Sequence, residues 1–193
     1  MRYGNWWPTA AEEWDRMVIN SGRTSEFLHV AQYIIAHKDR YQEAEAATGV
    51  PWYMIGVIHW REGSGNFNTY LGNGQLLSHR TTIVPKGRGP FSSWQAGAID
   101  ALKLDGLADV KDWRLEKILY WTESFNGFGY ELYHHLPSPY VWGGTNIQRA
   151  GKYVADGVWN PNVWDPQPGT APILKTIMAL DPTVDPARET PPE

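Results

Sequence analysis

Between Glu45 and Asp100 this chain carries one carboxylate, Glu62, and it falls where an apolar helix has to stop. The segment runs Pro51-Trp52-Tyr53-Met54-Ile55-Gly56-Val57-Ile58-His59-Trp60-Arg61-Glu62-Gly63-Ser64-Gly65-Asn66-Phe67. Pro51 suits the first helical turn, where its missing N–H is not needed, and Gly63 or Gly65 suits the left-handed residue that closes a helix. At about 3.6 residues per turn, Trp52, Ile55, Ile58 or His59, and Glu62 share one face. The acid therefore prolongs a buried stripe instead of pointing away from it. Apolar neighbours and the negative end of the helix dipole both disfavour its charged form. A structural Glu bonded to backbone amides or to a basic side chain would leave the same pattern.

The flanking sequence predicts a mainly α chain with one small β lobe, an α+β class. Thr24 or Ser25 can cap a helix running to about Thr48, with Phe27, Ile34, Tyr41 and Ala44 on one face. Pro51 to Glu62 is the second long helix. From Gly63 to Gly89 the composition turns to Asn, Gly and Thr, with Asn73-Gly74 as a hairpin turn between strands Thr69–Leu71 and Gln75–Leu77. A third strand is expected over Arg80–Val84. Ser92 or Ser93 caps a helix ending near Gly106, and Asp112 caps another that runs into Phe125-Asn126-Gly127. Pro137 to Gly169 has no periodic element, which in a long loop points to function or disorder. Thr170 opens a last helix to Leu180. The reading is one domain over 1–180 and a loose, proline-rich acidic tail over 181–193.

Bulk properties narrow the function classes. A net charge of −4, from 17 basic and 21 acidic side chains, argues against a general nucleic-acid binder. The absence of cysteine excludes disulfides and thiol catalysis. No His-Glu-x-x-His run occurs, and His134-His135 reads as a solvated pair, so neither a metal nor another cofactor is expected. Eleven tryptophans and ten tyrosines are the strongest compositional signal, because flat aromatic faces stack on sugar rings. Trp52 and Trp94 lie on helical stripes and belong to the core. Tyr70, Tyr130, Tyr140, Trp142, Tyr153 and Trp159 fall in glycine- or proline-rich segments, where a binding role fits better.

A carboxylic acid kept partly protonated near neutral pH is what a glycosidase needs to protonate a leaving sugar oxygen. Here the motifs become specific. Glu62-Gly63-Ser64-Gly65-Asn66-Phe67 is similar to the Glu-Ser-x-x-Asn-Phe signature of soluble lytic transglycosylases and goose-type lysozymes. Phe125-Asn126-Gly127-Phe128-Gly129-Tyr130 resembles their Tyr-Asn-x-Gly segment. The order of these motifs, with Gly49 to Leu107 and Ser138-Pro139-Tyr140-Val141-Trp142, resembles phage and prophage lysozyme-like endolysins. The resemblance implies a lysozyme-like fold with the β lobe beside a cleft, Glu62 as general acid, and a cleft lined by Gln75, Tyr70, Thr82, Asn126, Tyr130, Tyr140 and Trp142. Gly63 replaces the usual Ser after the acid, and Gly72-Asn73-Gly74-Gln75 only loosely matches the Gly-Leu-Met-Gln motif.

Residues 63 to 99 hold no Asp or Glu, so the β lobe has no second carboxylate to offer. Asp100 and Asp105 on the next helix could approach the cleft or simply face solvent. Two chemistries stay open. Water held by neutral groups such as Thr81, Thr82 or Gln75 would give hydrolysis, an endolysin-like muramidase cutting the MurNAc-β-1,4-GlcNAc bond. Glu62 acting with the substrate's N-acetyl group would give 1,6-anhydro ends, as in a lytic transglycosylase. A non-catalytic sugar-binding module and a structural virion protein are the alternatives outside enzymology. His79, Arg80, Lys86 and Arg88 make the lobe basic, which suits the carboxylates of peptidoglycan, the expected partner of a monomeric chain. The opening residues lack a secretion signal and no stretch reaches membrane-spanning length. Such a protein would be made in the cytoplasm and reach the cell wall, on its periplasmic side, after release.

Overall fold

A computed structural model describes residues 1–155 and 157–190, and it is mainly α with one small antiparallel hairpin. Among the described residues the helices are α1 (Tyr3–Arg16), α2 (Thr24–Ala36), α3 (Lys38–Thr48), α4 (Trp52–Gly63), α5 (Trp94–Leu104), α6 (Leu115–Asn126), α7 (Gly129–His134), α8 (Pro139–Trp142) and α9 (Thr170–Leu180). A 3-10 turn, Leu107–Asp109, follows α5. The strands are β1 (Lys152–Ala155) and β2 (Val158–Asn160). Among the described residues no helix is long and apolar enough to cross a membrane.

Helix α4 is the axis of the molecule. It packs against α2, α3, α6 and α9, and eight of its residues are buried, so it is apolar nearly all round, as a central helix must be. Gly56 permits the crossing with α2: a Cβ there would stand 2.4 Å from Ile34 Cγ2. The helix ends on Ser64, in the left-handed region at φ 51°, with its N–H bonded to the Trp60 carbonyl at 2.8 Å. Gly63, expected as a terminating residue, is the last helical one, while Gly65 does adopt positive φ at 74°.

Several expectations are corrected. The single helix over 24–48 is two, because the chain bends at His37, whose Nδ1 pairs with the Tyr33 carbonyl at 2.8 Å. The predicted strands at 69–84 are not strands; one bridge, Thr69 to Leu76, is all that forms. Side-chain bonds take the place of a ladder there. Gln75 Oε1 accepts the N–H groups of Thr82 and Ile83 at 2.8 and 3.1 Å. The hairpin lies instead at 152–160, inside the stretch read as aperiodic. Asp112 does not cap α6 directly; its Oδ1 accepts from Arg114 N at 3.2 Å, one turn outside. The tail is strapped down over 181–190. Val184 is buried, the Glu189 N–H donates to Glu116 Oε2 at 2.7 Å, and Tyr3 Oη donates to Glu189 Oε2 at 2.6 Å.

Helix α1 buries Trp6, Ala10, Glu13 and Trp14 against α6 and creates an unusual acid group. Glu123 of α6 is fully buried; its Oε2 accepts from Trp6 Nε1 at 3.2 Å, and its Oε1 has no partner among the described residues. Burial, then the charges of Glu131 and Glu13, push the Glu123 carboxyl well above the ordinary range. Burial and Glu131 likewise push Glu13 up to about 7. Acids raised on folding stabilise the fold in their protonated form. That contribution is complete below the ordinary value and is lost as pH rises through the folded one. The melting temperature is therefore expected to fall between about pH 5 and pH 8, and Glu123→Gln to melt above the wild type at about pH 8. Thermal melts across this range check it; a variant melting below wild type at the higher pH would mean an ionised, paired Glu123.

Candidate active site

Glu62 occupies the last turn of α4, half-buried, where its carboxyl meets Tyr140. Tyr140 Oη donates to Glu62 Oε1 at 2.9 Å. Helix α8 delivers that tyrosine: Ser138 Oγ accepts from the Tyr140 N–H at 3.3 Å, and Pro139 occupies the first turn. Burial raises the Glu62 pKa above the ordinary range. The Tyr140 hydrogen bond and the Arg61 charge pull it back, while the charge of Asp105 raises it again. Burial and the neighbouring Glu62 hold the Tyr140 phenol well above its usual value, so it stays a proton donor.

Arg61 does not neutralise its neighbour. Its side chain turns away to a buried ion pair, Nη2 to Asp165 Oδ2 at 3.1 Å, with its Cζ 4.7 Å over the Tyr140 ring. Lys152 Nζ reaches the other oxygen of Asp165 at 3.2 Å. Glu62 is thus a carboxyl group with a hydroxyl donor and no paired cation.

Two hollows are lined by the groups that act on Glu62, Tyr140 in one and Asp105 in the other, while Glu62 itself lines neither. A cavity of about 560 Å³ opens on the Tyr140 side, between α7, the end of α6 and the β1–β2 hairpin. One of about 360 Å³ lies on the Asp105 side, with Tyr70, Gly72, Val84 and Phe125 in its wall. The Asn73-Gly74 turn closes against the end of α4, since a Cβ on Gly74 would stand 3.5 Å from the Glu62 carbonyl oxygen.

The predicted cleft residues divide accordingly. Asn126, Tyr130 and Tyr140 share the larger hollow. Asn126 is the exposed last residue of α6, and the residue of positive φ that follows it is Gly127, at 93° with ψ 151°. That conformation is open essentially to glycine alone. Gln75 and Thr82 meet in a separate depression, where Gln75 Nε2 donates to Thr82 Oγ1 at 2.9 Å; the pair fastens the lobe. Tyr70 is buried and stacked on Phe91, its hydroxyl donating to Asp100 Oδ2 at 2.9 Å, so only its edge reaches the smaller hollow. Trp142 is fully buried in the core, with no surface to offer a ligand. Asp100 is not solvated either: it holds Arg88 through Nε at 2.9 Å, and this cation and Tyr70 keep its carboxyl below the ordinary range despite burial. Of the two aspartates, Asp105 alone is exposed and electrostatically coupled to Glu62.

Sequence reasoning did not anticipate Asp165, Lys152 and Gln167 in the larger hollow, nor the role of His134. His134 is stacked on Trp159, centroids 3.5 Å apart and planes within 9°, and its Nε2 pairs with Tyr153 Oη at 2.9 Å. No family model, curated protein or solved structure matches the chain.

Proposed function

We propose that this chain is a peptidoglycan glycosidase of lysozyme-like character, cutting the MurNAc-β-1,4-GlcNAc bond with Glu62 as general acid. One observation carries the reading: a carboxyl group raised by burial at a helix C-terminus, bonded by Tyr140 of one hollow and coupled to Asp105 of another, with no ion pair to a cation among the described residues. A protonated carboxyl bonded to the wall of such a hollow can deliver its proton to a glycosidic oxygen brought within reach of it. Tyr140 orients the carboxyl and supports the carboxylate once the proton has left.

Asp105 is the carboxylate available to guide a water or to stabilise positive charge on the sugar, which favours hydrolysis. Asp100, held by Arg88 and Tyr70, is a lobe anchor. Transglycosylation by Glu62 with the substrate's own N-acetyl group is the second reading, favoured by the exposure of Asp105 at the rim.

The pH profile on purified sacculi tests the proposal. A general acid works while protonated, so activity should fall as pH rises through the Glu62 value. Asp105→Asn removes a like charge, lowers that value and moves the alkaline limb to lower pH. Tyr140→Phe removes a bond that favours the carboxylate and moves the limb to higher pH. Limbs that stay put in both variants, or no turnover at any pH, would reject Glu62 as the acid.

A further inference from the structure

The larger hollow does not offer what a sugar ring wants. Its aromatic side chains are spent on each other. Tyr130 and Tyr153 meet each other edge-on at 5.4 Å and each turns against Trp159 behind them, at 5.4 and 5.1 Å, which is itself stacked on His134. Tyr133 alone remains broadly exposed, at 73%. What the lining offers instead is amide and charge. Asn126 and Gln167 are exposed, and their side-chain amides bond to no other described residue. Asp165, 4% exposed at its side chain, is shared by two cations, Arg61 and Lys152, so among the described residues this wall carries one positive charge in excess. Asp165 is held below the ordinary carboxylate range, so it does not lose its charge and enlarge that excess near neutral pH. Arg61 is also short of an acceptor, its buried Nε having no partner among the described residues. Lys152 is the more accessible cation, 28% exposed against 5% for Arg61.

An excess cation beside free amides recognises a carboxylate on an amide-bearing chain. From this we infer that the hollow receives the acidic peptide arm of the muramyl sugar, leaving the glycosidic bond to Glu62. This rests on the glycosidase reading, and it makes the enzyme selective for peptide-substituted glycan. A negative group entering the hollow gains the charge of Lys152, which Asp165 only half satisfies because it also serves Arg61, in a partly desolvated setting where one such contact is worth about a tenfold change in affinity.

The test is calorimetric titration of the full chain carrying Glu62→Gln, so that no glycan is consumed, with muramyl dipeptide and with chitotetraose. Lys152→Met should weaken muramyl dipeptide about tenfold and leave chitotetraose within about twofold, while Lys152→Arg restores the first. Raising salt from about 50 to 500 mM should weaken muramyl dipeptide alone, a check that needs no variant. Unchanged muramyl dipeptide affinity in folded Lys152→Met, or equal loss for both ligands, would overturn the assignment. Lys152-dependent binding by a protein that cuts no glycan would keep this subsite and reject the glycosidase. Glycan cleavage with binding indifferent to Lys152 and to salt would do the reverse.

Discussion

Glu62→Gln is expected to lower release of soluble product from peptidoglycan by about 10²-fold or more while the protein melts higher than wild type near pH 7. The two halves of this result have one cause. Burial at the end of α4 makes the charged carboxylate unfavourable, which is what keeps a proton on it for catalysis. The same burial weakens the fold at neutral pH. Because the folded value is raised, protonated Glu62 stabilises fully below the ordinary 4.5, and that stability is lost as pH rises through the folded value. Gln cannot ionise and still accepts the Tyr140 hydroxyl, so the gain should vanish in acid. Joint measurement of turnover and melting separates an active-site acid from a structural one. A structural Glu bonded to the fold would melt lower when replaced, with turnover falling only in proportion to unfolded protein.

Asp165→Asn is expected to be the most damaging single change to stability. Burial pushes this carboxyl up, but the Arg61 charge, the Gln167 amide and the bonds from Arg61 and Lys152 outweigh it and leave it below its usual value. Its contribution is therefore present above the ordinary 3.8 and lost as pH falls through the folded value. Removing it strands Arg61, 5% exposed, without its partner. Breaking one side of a buried pair costs about 3–5 kcal/mol, roughly 6–20 °C of melting temperature for a chain of this size. Arg61 would then be free to turn toward Glu62, lower its value and move the alkaline limb of activity to lower pH. Thermal melts with a pH–rate profile check both parts. A drop below about 1 kcal/mol would mean that Lys152 and solvent, not Asp165, satisfy this corner.

The long periodic elements were legible in the sequence. The stripe through Trp52, Ile55 and Ile58 marks α4, and Ser93, whose Oγ accepts from the Ala96 N–H at 3.1 Å, starts α5 as capping chemistry predicts. Thr170 to Leu180 is α9 as read. Helix α1 escaped because Pro8 sits inside it, in the second turn, where a proline ordinarily breaks a helix. The bend at His37 leaves no mark on the apolar pattern, because α2 and α3 both keep their stripes inward. In the lobe, Asn73-Gly74 does turn the chain, but Gln75 takes the N–H groups a third strand would have used. The hairpin at 152–160 carried a readable signal, Asp156-Gly157 between Tyr153-Val154 and Val158-Trp159, a type of pair that favours two-residue hairpin turns.

The site was half legible for the same reason. Glu62 stood out because local burial and the helix end act on it directly. Tyr140 and Asn126 stood out as aromatic and turn chemistry beside prolines and glycines. The ion pairs of Asp165 with Arg61 and of Asp100 with Arg88 join distant or irregular segments, and no spacing rule brings them together. Trp142 illustrates the opposite error. A glycine-rich context, Trp142-Gly143-Gly144, looks exposed, yet these glycines let backbones close on one another; a Cβ on Gly143 would stand 2.5 Å from the Gln167 carbonyl oxygen.

The most direct test of the account is mass analysis of muropeptides after digestion of purified peptidoglycan by the wild type and by Glu62→Gln. The account predicts fragments ending in reducing N-acetylmuramic acid from the wild type, and intact glycan from the variant. Anhydro ends would keep Glu62 and change the reaction to transglycosylation. Intact glycan from the folded wild-type protein, or equal digestion by both, would contradict the central claim.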